Sequence, residues 1–253
     1  MTSQAVRVGS LELKNPVLTA SGTFGYGLEY ADFFDIAELG GICTKGLSLE
    51  PRAGNPPDRV CETPAGMLNA IGLANIGVEA FCSEKLPQLQ ARGVTVVANI
   101  FATSADEFAR LAARLDCEPG VHALELNVSC PNVASGGIHF GFDPRLCGKL
   151  TRAVRAVTAK PVWVKMSPEA HDPVSVARAC EDEGADAISA INTIRAMAID
   201  VETMRVRLAN RTGGLSGPAI RPIGVRIVWD LAGALSIPVV GIGGILTAAD
   251  ALE

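Results

Sequence analysis

The sequence predicts an α/β protein of the TIM, or (β/α)8, barrel class. Short apolar runs recur along the chain, amphipathic helical segments separate most of them, and polar side chains follow the runs. Runs that are apolar at nearly every position are typical of parallel strands covered on both faces. Seven such runs are present: Pro16–Ala20, Gly41–Thr44, Val94–Ile100, Val121–Asn127, Pro161–Met166, Asp186–Ile191 and Ile237–Ile242.

Helix starts between the runs are indicated by capping residues. Ser104 and Glu107 have the spacing of a capping box, which satisfies free amides at the start of a helix. Asp172 precedes Pro173, an arrangement that favours a cap followed by a first helical proline. Thr247 can cap a last helix. These signals predict a helix after the third, fifth and seventh runs, as βαβ crossovers require.

The two ends of the chain have different expected roles. Val6–Val8 and Leu11–Leu13 flank Gly9-Ser10, which predicts an N-terminal β-hairpin that plugs one end of the barrel. The last residue, Glu253, lies one turn into the helix after the seventh run. Since a seven-strand barrel leaves two edges unpaired, we expect residues 1–253 to be a single barrel domain truncated before strand eight. The alternative is an open doubly wound sheet, but no Gly-x-Gly-x-x-Gly turn follows the first run.

Composition and charge exclude several classes of function. The 253 residues carry a formal net charge of −5 without a basic tail, which argues against nucleic acid and anionic membranes as partners. No apolar run reaches the ~18–20 residues of a membrane helix, and no signal-peptide apolar region is present. The seven cysteines are scattered without a Cys-x-x-Cys pair, and the three histidines lack ligand spacing. These features favour a cytoplasmic protein with reduced thiols and no metal site.

Polar side chains and glycines lie at the carboxyl ends of the predicted strands, where the chemistry of barrel enzymes is located. In strand order they are Ser21-Gly22, Lys45-Gly46, Asn99, Asn127 to Asn132, Lys165-Met166-Ser167, Asn192-Thr193 and Gly243-Gly244. This set contains no carboxylate cluster for glycoside hydrolysis or magnesium binding. It also contains no histidine that could serve a Ser-His-Asp or Cys-His arrangement.

The residue types at these strand ends suit a flavin and a small anionic heterocycle. Amide side chains both donate and accept hydrogen bonds, as the edge of a planar heterocycle requires. Lys45 and Lys165 suit a carboxylate and a ring that becomes anionic on reduction. Gly243-Gly244 offers bare backbone amides to a phosphate. We therefore predict flavin mononucleotide (FMN) and a carboxylated heterocyclic substrate.

Six motifs, in order along the chain, resemble those of class 1 dihydroorotate dehydrogenase. They are Asn69-Ala-Ile-Gly-Leu73, Asn127-Val-Ser-Cys-Pro-Asn132, Val164-Lys-Met-Ser-Pro168, Ile191-Asn-Thr193, Gly214-Leu-Ser-Gly-Pro218 and Gly241-Ile-Gly-Gly244. The similarity spans the chain from Val6 to Glu253. The fifth motif, together with the segment from Gly136 to Gly141, is most similar to the NAD-linked 1B subclass.

The resemblance implies oxidation of (S)-dihydroorotate to orotate in pyrimidine (UMP) synthesis. It implies that Cys130 removes the C5 proton while the C6 hydride passes to N5 of FMN. The FMN contacts that it implies are Ser21, Lys45, Gly46, Asn99, Asn127, Lys165, Ile191, Gly217, Gly243 and Gly244. The implied substrate contacts are Lys45, Asn69, Ala70, Ile71, Gly72, Leu73, Asn127, Asn192 and Thr193.

The resemblance also implies a partner subunit carrying FAD and a [2Fe–2S] cluster, which passes electrons to NAD⁺, and assembly as a homodimer or heterotetramer. The chain itself has no dinucleotide fingerprint and no cysteine quartet for a cluster, in agreement with this division of labour. The family continues beyond the position of Glu253 with an eighth strand and a Gly-Thr pair that completes the phosphate site.

Three alternative functions stay open on sequence grounds. Fumarate-using class 1A relatives share the cysteine base, a related flavin barrel could act on another pyrimidine such as uracil, and the chain could be an inactive barrel fragment. Alternative roles also stay open for single residues. Cys130 could be a small buried apolar residue, and Lys45 and Lys165 could be solvated surface lysines. The other cysteines and the histidines are assigned structural or surface roles, and the stretch from Arg205 to Arg211 a solvated face or loop.

Overall fold

The computed structural model describes residues 4–129 and 140–253, and its centre is a parallel sheet of seven strands. In chain order these barrel strands are Leu18–Thr19, Gly41–Cys43, Val96–Ile100, Ala123–Asn127, Val162–Lys165, Ala187–Ala190 and Val239–Gly241. Each pairs in parallel with its neighbours in this order, which is the strand order of a TIM barrel. The seven predicted strands and the barrel class are confirmed.

Helices cover the outer face of this sheet. The first runs through Val78–Ala80, a π turn at Phe81–Lys85, and Leu86–Ala91; the others are Ala105–Asp116, Pro144–Arg155, Pro173–Asp182, Arg221–Ala234 and Ala248–Leu252. Short 3₁₀ turns lie at Leu28–Tyr30, Ile36–Glu38, Phe140–Phe142 and Pro218–Ile220. In the part of the chain that the structure describes, none of the helices combines the length and the apolar character needed to cross a bilayer.

Two of the predicted helix caps illustrate how the sequence sets the helix starts. Thr247 and Asp250 form a complete capping box at the last helix. The Ser104 hydroxyl accepts from the Glu107 amide at 3.2 Å, as predicted. The Glu107 carboxylate, however, accepts from the amide and hydroxyl of Thr103 rather than from the cap residue. The reciprocal half of this capping box is therefore displaced by one residue.

The N-terminal hairpin packs into the barrel interior, as predicted. Val6–Val8 pairs antiparallel with Leu11–Leu13. Leu13 belongs to a small apolar cluster that includes Val97 and Trp163 from the interior of the barrel. Because these side chains fill the amino-terminal end of the sheet, the carboxyl ends of the strands are left for ligands.

Shortening one buried side chain of the N-terminal hairpin tests this packing. Leu13 is 1% exposed, so Leu13→Ala leaves a cavity and is expected to lower the free energy of unfolding by about 2–5 kcal/mol. Equilibrium urea unfolding measures the change. Leu246, which is 72% exposed, provides the matched control, and Leu246→Ala is expected to change stability by less than about 0.5 kcal/mol. Equal losses in both variants would contradict the plug.

A second, antiparallel sheet was not predicted from the sequence. Its strands, in order across the sheet, are Ile194–Ala196, Gly213–Ser216, Gly66–Asn69 and Val60–Thr63. We call it the outer sheet. Ile194 directly follows Asn192 and Thr193 at the end of the sixth barrel strand, which places the outer sheet at the carboxyl end of the barrel.

A small hairpin extends the chain between two strands of the outer sheet. Ile199–Asp200 pairs with Arg205–Val206. From Arg205 to Arg211 the chain is exposed except at Leu208, which is 1% exposed. The predicted solvated character of this stretch is confirmed, with Leu208 as its one buried anchor.

Candidate active site

The strand-end amides and the second predicted lysine lie together at the carboxyl end of the barrel sheet. Asn127 is in register with Lys165 on the next strand, and Asn99 is in register with Glu125. The side-chain Nδ2 of Asn192 donates to Oδ1 of Asn127 at 3.1 Å. The ends of the fourth and sixth strands therefore meet, and we call this region the mouth.

Lys165 is a buried cation with a buried counter-ion. Its side-chain Nζ lies 3.8 Å from Oε1 of Glu125, and the two residues are 5% and 2% exposed. Charged side chains are rarely buried to this extent unless they are paired. The alternative of a solvated surface lysine is therefore wrong for Lys165.

Lys45 lies half-buried after the second barrel strand. Burial, and then the neighbouring Arg59 cation, lower the pKa of its ammonium group. Both effects act against the charged form of Lys45, and an anionic ligand would offset both. The environment of Lys45 thus favours a carboxylate or another anion.

Asn99 has an orphaned acceptor that fits a flavin. Its Nδ2 donates to Oε1 of Glu125 at 2.6 Å, whereas its buried Oδ1 has no hydrogen-bond partner within the described residues. A Cβ on Gly46 would lie 3.0 Å from this Oδ1, so the glycine leaves space beside it. Buried acceptors are normally satisfied, and the ring N–H of an isoalloxazine is a donor of the required kind.

Three glycines form a backbone cradle that fits a phosphate. Gly217, Gly243 and Gly244 have φ values of 93°, 115° and 74°. A Cβ on Gly244 would lie 2.8 Å from the carbonyl oxygen of Gly217, so the two loops touch through bare backbone. Gly217 also precedes a 3₁₀ turn and the helix Arg221–Ala234. Bare amides in front of a helix are favourable for a phosphate, and these residues therefore fit FMN.

Filling this cradle is expected to weaken FMN binding. Gly244→Ala introduces a side chain at positive φ, which costs about 1–2 kcal/mol, and places it against Gly217. Because the added Cβ would lie 2.8 Å from the Gly217 carbonyl oxygen, the two loops of the cradle must move apart. We expect FMN affinity to fall by about tenfold or more, equivalent to ~1.4 kcal/mol. Fluorescence titration of FMN measures the change. Gly233→Ala is the control, because its added Cβ would meet no atom within 4 Å beyond its chain neighbours and the backbone of its own helix. Equal affinities for the two variants would contradict the assignment.

The predicted substrate loop meets the end of the sixth barrel strand through the outer sheet. The Nδ2 of Asn69 donates to the carbonyl oxygen of Gly214 at 3.2 Å. The same glycine lies against Thr193, whose Oγ1 would be 2.1 Å from a Cβ at that position. Asn69 and Thr193, which are far apart in sequence, are thus brought to the same glycine.

The rest of the substrate loop is a tight turn held by Asn55. The amide of Asn55 donates to the carbonyl of Ile71 at 3.0 Å, and its Nδ2 donates to the carbonyl of Ala70 at 2.9 Å. Gly72 and Leu73 have φ values of 74° and 60°. These contacts fix the conformation of the turn.

Three further predicted site residues are Ser21, Ile191 and Cys130. The backbone of Ser21 acts to lower the pKa of the Cys43 thiol, against the larger raising effect of burial. Ile191 is 2% exposed, and its amide donates to the carbonyl of Ile242 at 3.1 Å. Cys130, like the rest of residues 130–139, lies outside the described residues.

Glu125 was missed by the sequence reasoning. It occupies the middle of the strand Ala123–Asn127, whose four other residues include no charge. A lone carboxylate within an otherwise apolar strand is the signal that could have identified it. Within the described ranges 4–129 and 140–253, no three histidine, cysteine or acidic side chains come together as a metal site.

The fold and the site together define a class of protein. A parallel α/β barrel with one plugged end, and with lysines, amide side chains and a glycine cradle at the other, has the architecture of a barrel enzyme. The family model described as "Dihydroorotate dehydrogenase" matches residues 3–253. The chain belongs to the dihydroorotate dehydrogenase family.

Named relatives agree with the family match. The chain is 55% identical over 251 residues to a protein of Trichlorobacter lovleyi, covering 99% of this chain and 83% of the relative. It is 56% identical over 250 residues to a protein of Solidesulfovibrio magneticus, with coverages of 98% and 82%. Both relatives are named "Dihydroorotate dehydrogenase B (NAD(+)), catalytic subunit". The predicted resemblance to the NAD-linked type is confirmed.

Proposed function

We propose that this protein is an FMN-dependent catalytic subunit that oxidises (S)-dihydroorotate to orotate in cytoplasmic pyrimidine (UMP) synthesis. The main support for this function is that Lys165, Asn99 and Asn127 lie together at one mouth, in a chain that belongs to this family. The glycine cradle adds the phosphate site that FMN requires. Residues 1–253 would act as one flavin-binding barrel unit.

The lysine and amide side chains of the site have distinct roles in this proposal. Lys165 and Asn99 bind the flavin ring, Lys165 at the edge where negative charge develops on reduction. Lys45 binds the substrate carboxylate, which would offset the burial and the like charge that lower its pKa. Asn127 and Asn192, already hydrogen-bonded to each other, bind the polar edge of the pyrimidine ring. Ser21, Gly46 and Ile191 complete the FMN contacts.

Cys130 is proposed as the base. Bound FMN supplies the oxidising chemistry by accepting the C6 hydride of dihydroorotate. The thiolate of Cys130 takes the C5 proton, so that the two electrons of the C5–H bond form the C5=C6 double bond of orotate. A thiol must lose its proton to act in this way, and its reactivity therefore depends on the thiolate fraction.

A partner subunit is proposed to reoxidise the flavin. The relatives' names state both a catalytic subunit and NAD(+). We propose a partner with FAD and a [2Fe–2S] cluster that passes electrons to NAD⁺, in a homodimer or heterotetramer. Reoxidation by NAD⁺ only in the presence of that partner supports this arrangement, whereas direct reoxidation by fumarate would favour the class 1A alternative.

Flavin spectra test the proposed function directly. The purified protein with FMN is mixed anaerobically with dihydroorotate, and the flavin absorbance is followed. We expect dihydroorotate to bleach the flavin and dihydrouracil to leave it unchanged, because only dihydroorotate has the carboxylate that Lys45 binds. Bleaching by dihydrouracil instead would favour a flavin enzyme acting on another pyrimidine. Failure to bind FMN would favour an inactive barrel.

A further inference from the structure

Glu125 lies inside the barrel, one layer below the mouth. Its strand neighbours Leu124 and Leu126 are fully buried in the apolar core that includes the outer helices. Because side chains alternate along a strand, Glu125 points to the opposite face, the barrel interior. A carboxylate that is 2% exposed in this position requires partners on several strands.

Three neutral donors surround this carboxylate. Its Oε1 accepts from Nδ2 of Asn99 at 2.6 Å and from the Cys43 thiol at 3.1 Å. Its Oε2 accepts from the Ser189 hydroxyl at 2.8 Å. Burial, and then the negative charge of Glu125, raise the pKa of the Cys43 thiol, which keeps that thiol protonated as a donor. All three neutral groups therefore donate hydrogen bonds to the carboxylate, as an ionised acceptor requires.

The fourth contact is the cation of Lys165. Its Nζ lies 3.8 Å from Oε1 of Glu125, and no other carboxylate is paired with Lys165 among residues 4–129 and 140–253. Glu125 thus holds two side chains of the proposed FMN site, Lys165 and Asn99, without itself reaching the strand ends. The other two donors, Cys43 and Ser189, hold the carboxylate in place.

We propose that Glu125 is a positioning residue that fixes Lys165 and Asn99 toward FMN and partly neutralises the charge that Lys165 presents to the flavin. The inference rests on the proposed function and names a residue that controls the reduction potential of the bound cofactor. Reduced FMN carries more negative charge than oxidised FMN. An anion behind Lys165 therefore lowers the preference of the site for the reduced form.

The test is the midpoint potential of bound FMN in Glu125→Gln. Glutamine keeps the shape of the side chain, and the Ser189 hydroxyl can rotate to accept from its amide. Removal of the charge is expected to raise the affinity for reduced relative to oxidised FMN by about tenfold or more, equivalent to a rise of about 30 mV for a two-electron couple. Spectroelectrochemical titration against a reference dye measures it without turnover.

Two further variants separate charge from structure. Ser189→Ala removes a neutral hydrogen bond to the same carboxylate and keeps its charge, so we expect the potential of wild type. Glu125→Asp keeps the negative charge but moves it away from Lys165 by about one methylene, and we expect a smaller rise in the FMN potential than in Glu125→Gln. If the Glu125→Gln protein does not fold, the potential is measured in Glu125→Asp instead. An unchanged or lower potential in the folded Glu125 variants would overturn the proposal, as would an equal rise in Ser189→Ala.

The wild type separates this inference from the proposed function. If wild type binds FMN and dihydroorotate reduces it, while the Glu125 variants keep the wild-type potential, only the positioning role fails. If wild type does not bind FMN, the proposed function fails and the positioning role fails with it.

Discussion

Replacing Cys130 by alanine is expected to leave FMN bound but to slow its reduction by dihydroorotate by about 10²–10⁴-fold, the usual contribution of a general base. The loss concerns only removal of the C5 proton. The residues proposed to hold FMN, including Lys165 and Gly244, are unchanged. Anaerobic stopped-flow absorbance measures the rate of flavin bleaching at saturating dihydroorotate.

A second cysteine provides the control for this prediction. Cys117 is exposed at the end of the helix Ala105–Asp116, so Cys117→Ala should reduce flavin at the wild-type rate. FMN stoichiometry is measured for both variants from the absorbance of the released flavin. A Cys130→Ala protein that binds FMN and is reduced as fast as wild type would remove Cys130 from its proposed role.

Replacing Lys165 by methionine is expected to lower the free energy of unfolding by about 3–5 kcal/mol, because Glu125 is left as a buried charge without its counter-ion. Methionine keeps most of the volume of the lysine stem. Urea unfolding of the apoprotein measures the loss independently of flavin. FMN affinity should fall as well, since the cation beside the flavin is lost.

The double variant identifies the cause of the loss. In Lys165→Met with Glu125→Gln, no charge is left buried, and we expect most of the stability to return. Lys149, an exposed lysine of the helix Pro144–Arg155, is the surface control, and Lys149→Met should change stability by less than about 0.5 kcal/mol. A Lys165→Met protein as stable as that control would contradict the buried ion pair.

Much of the fold could be predicted because its signals are local. The seven barrel strands are continuous apolar runs, and helix starts such as Ser104 and Thr247 carry their own capping residues. The outer sheet was missed because its strands are short and two of its three pairings join segments that are far apart in sequence. Gly214 pairs with Asn69, and no local pattern around either residue indicates the other.

The site was predicted in part for a similar reason. The strand-end rule identified Asn99, Asn127 and Lys165 because each is the last or the last but one residue of an apolar run. Glu125 was missed because its meaning depends on donors from neighbouring strands that converge only in the folded barrel. The rule looks at strand ends, whereas this residue acts from one layer below them.

A crystal structure of the protein with FMN and orotate tests the central claim most directly, namely that base, substrate and flavin stack at a single mouth of the barrel. We predict the FMN phosphate at Gly217 and Gly244, the flavin ring beside Lys165, and the Sγ of Cys130 over C5 of orotate on the face away from the flavin. A Cys130 thiol directed out of the mouth, or FMN bound away from Lys165, would contradict the account.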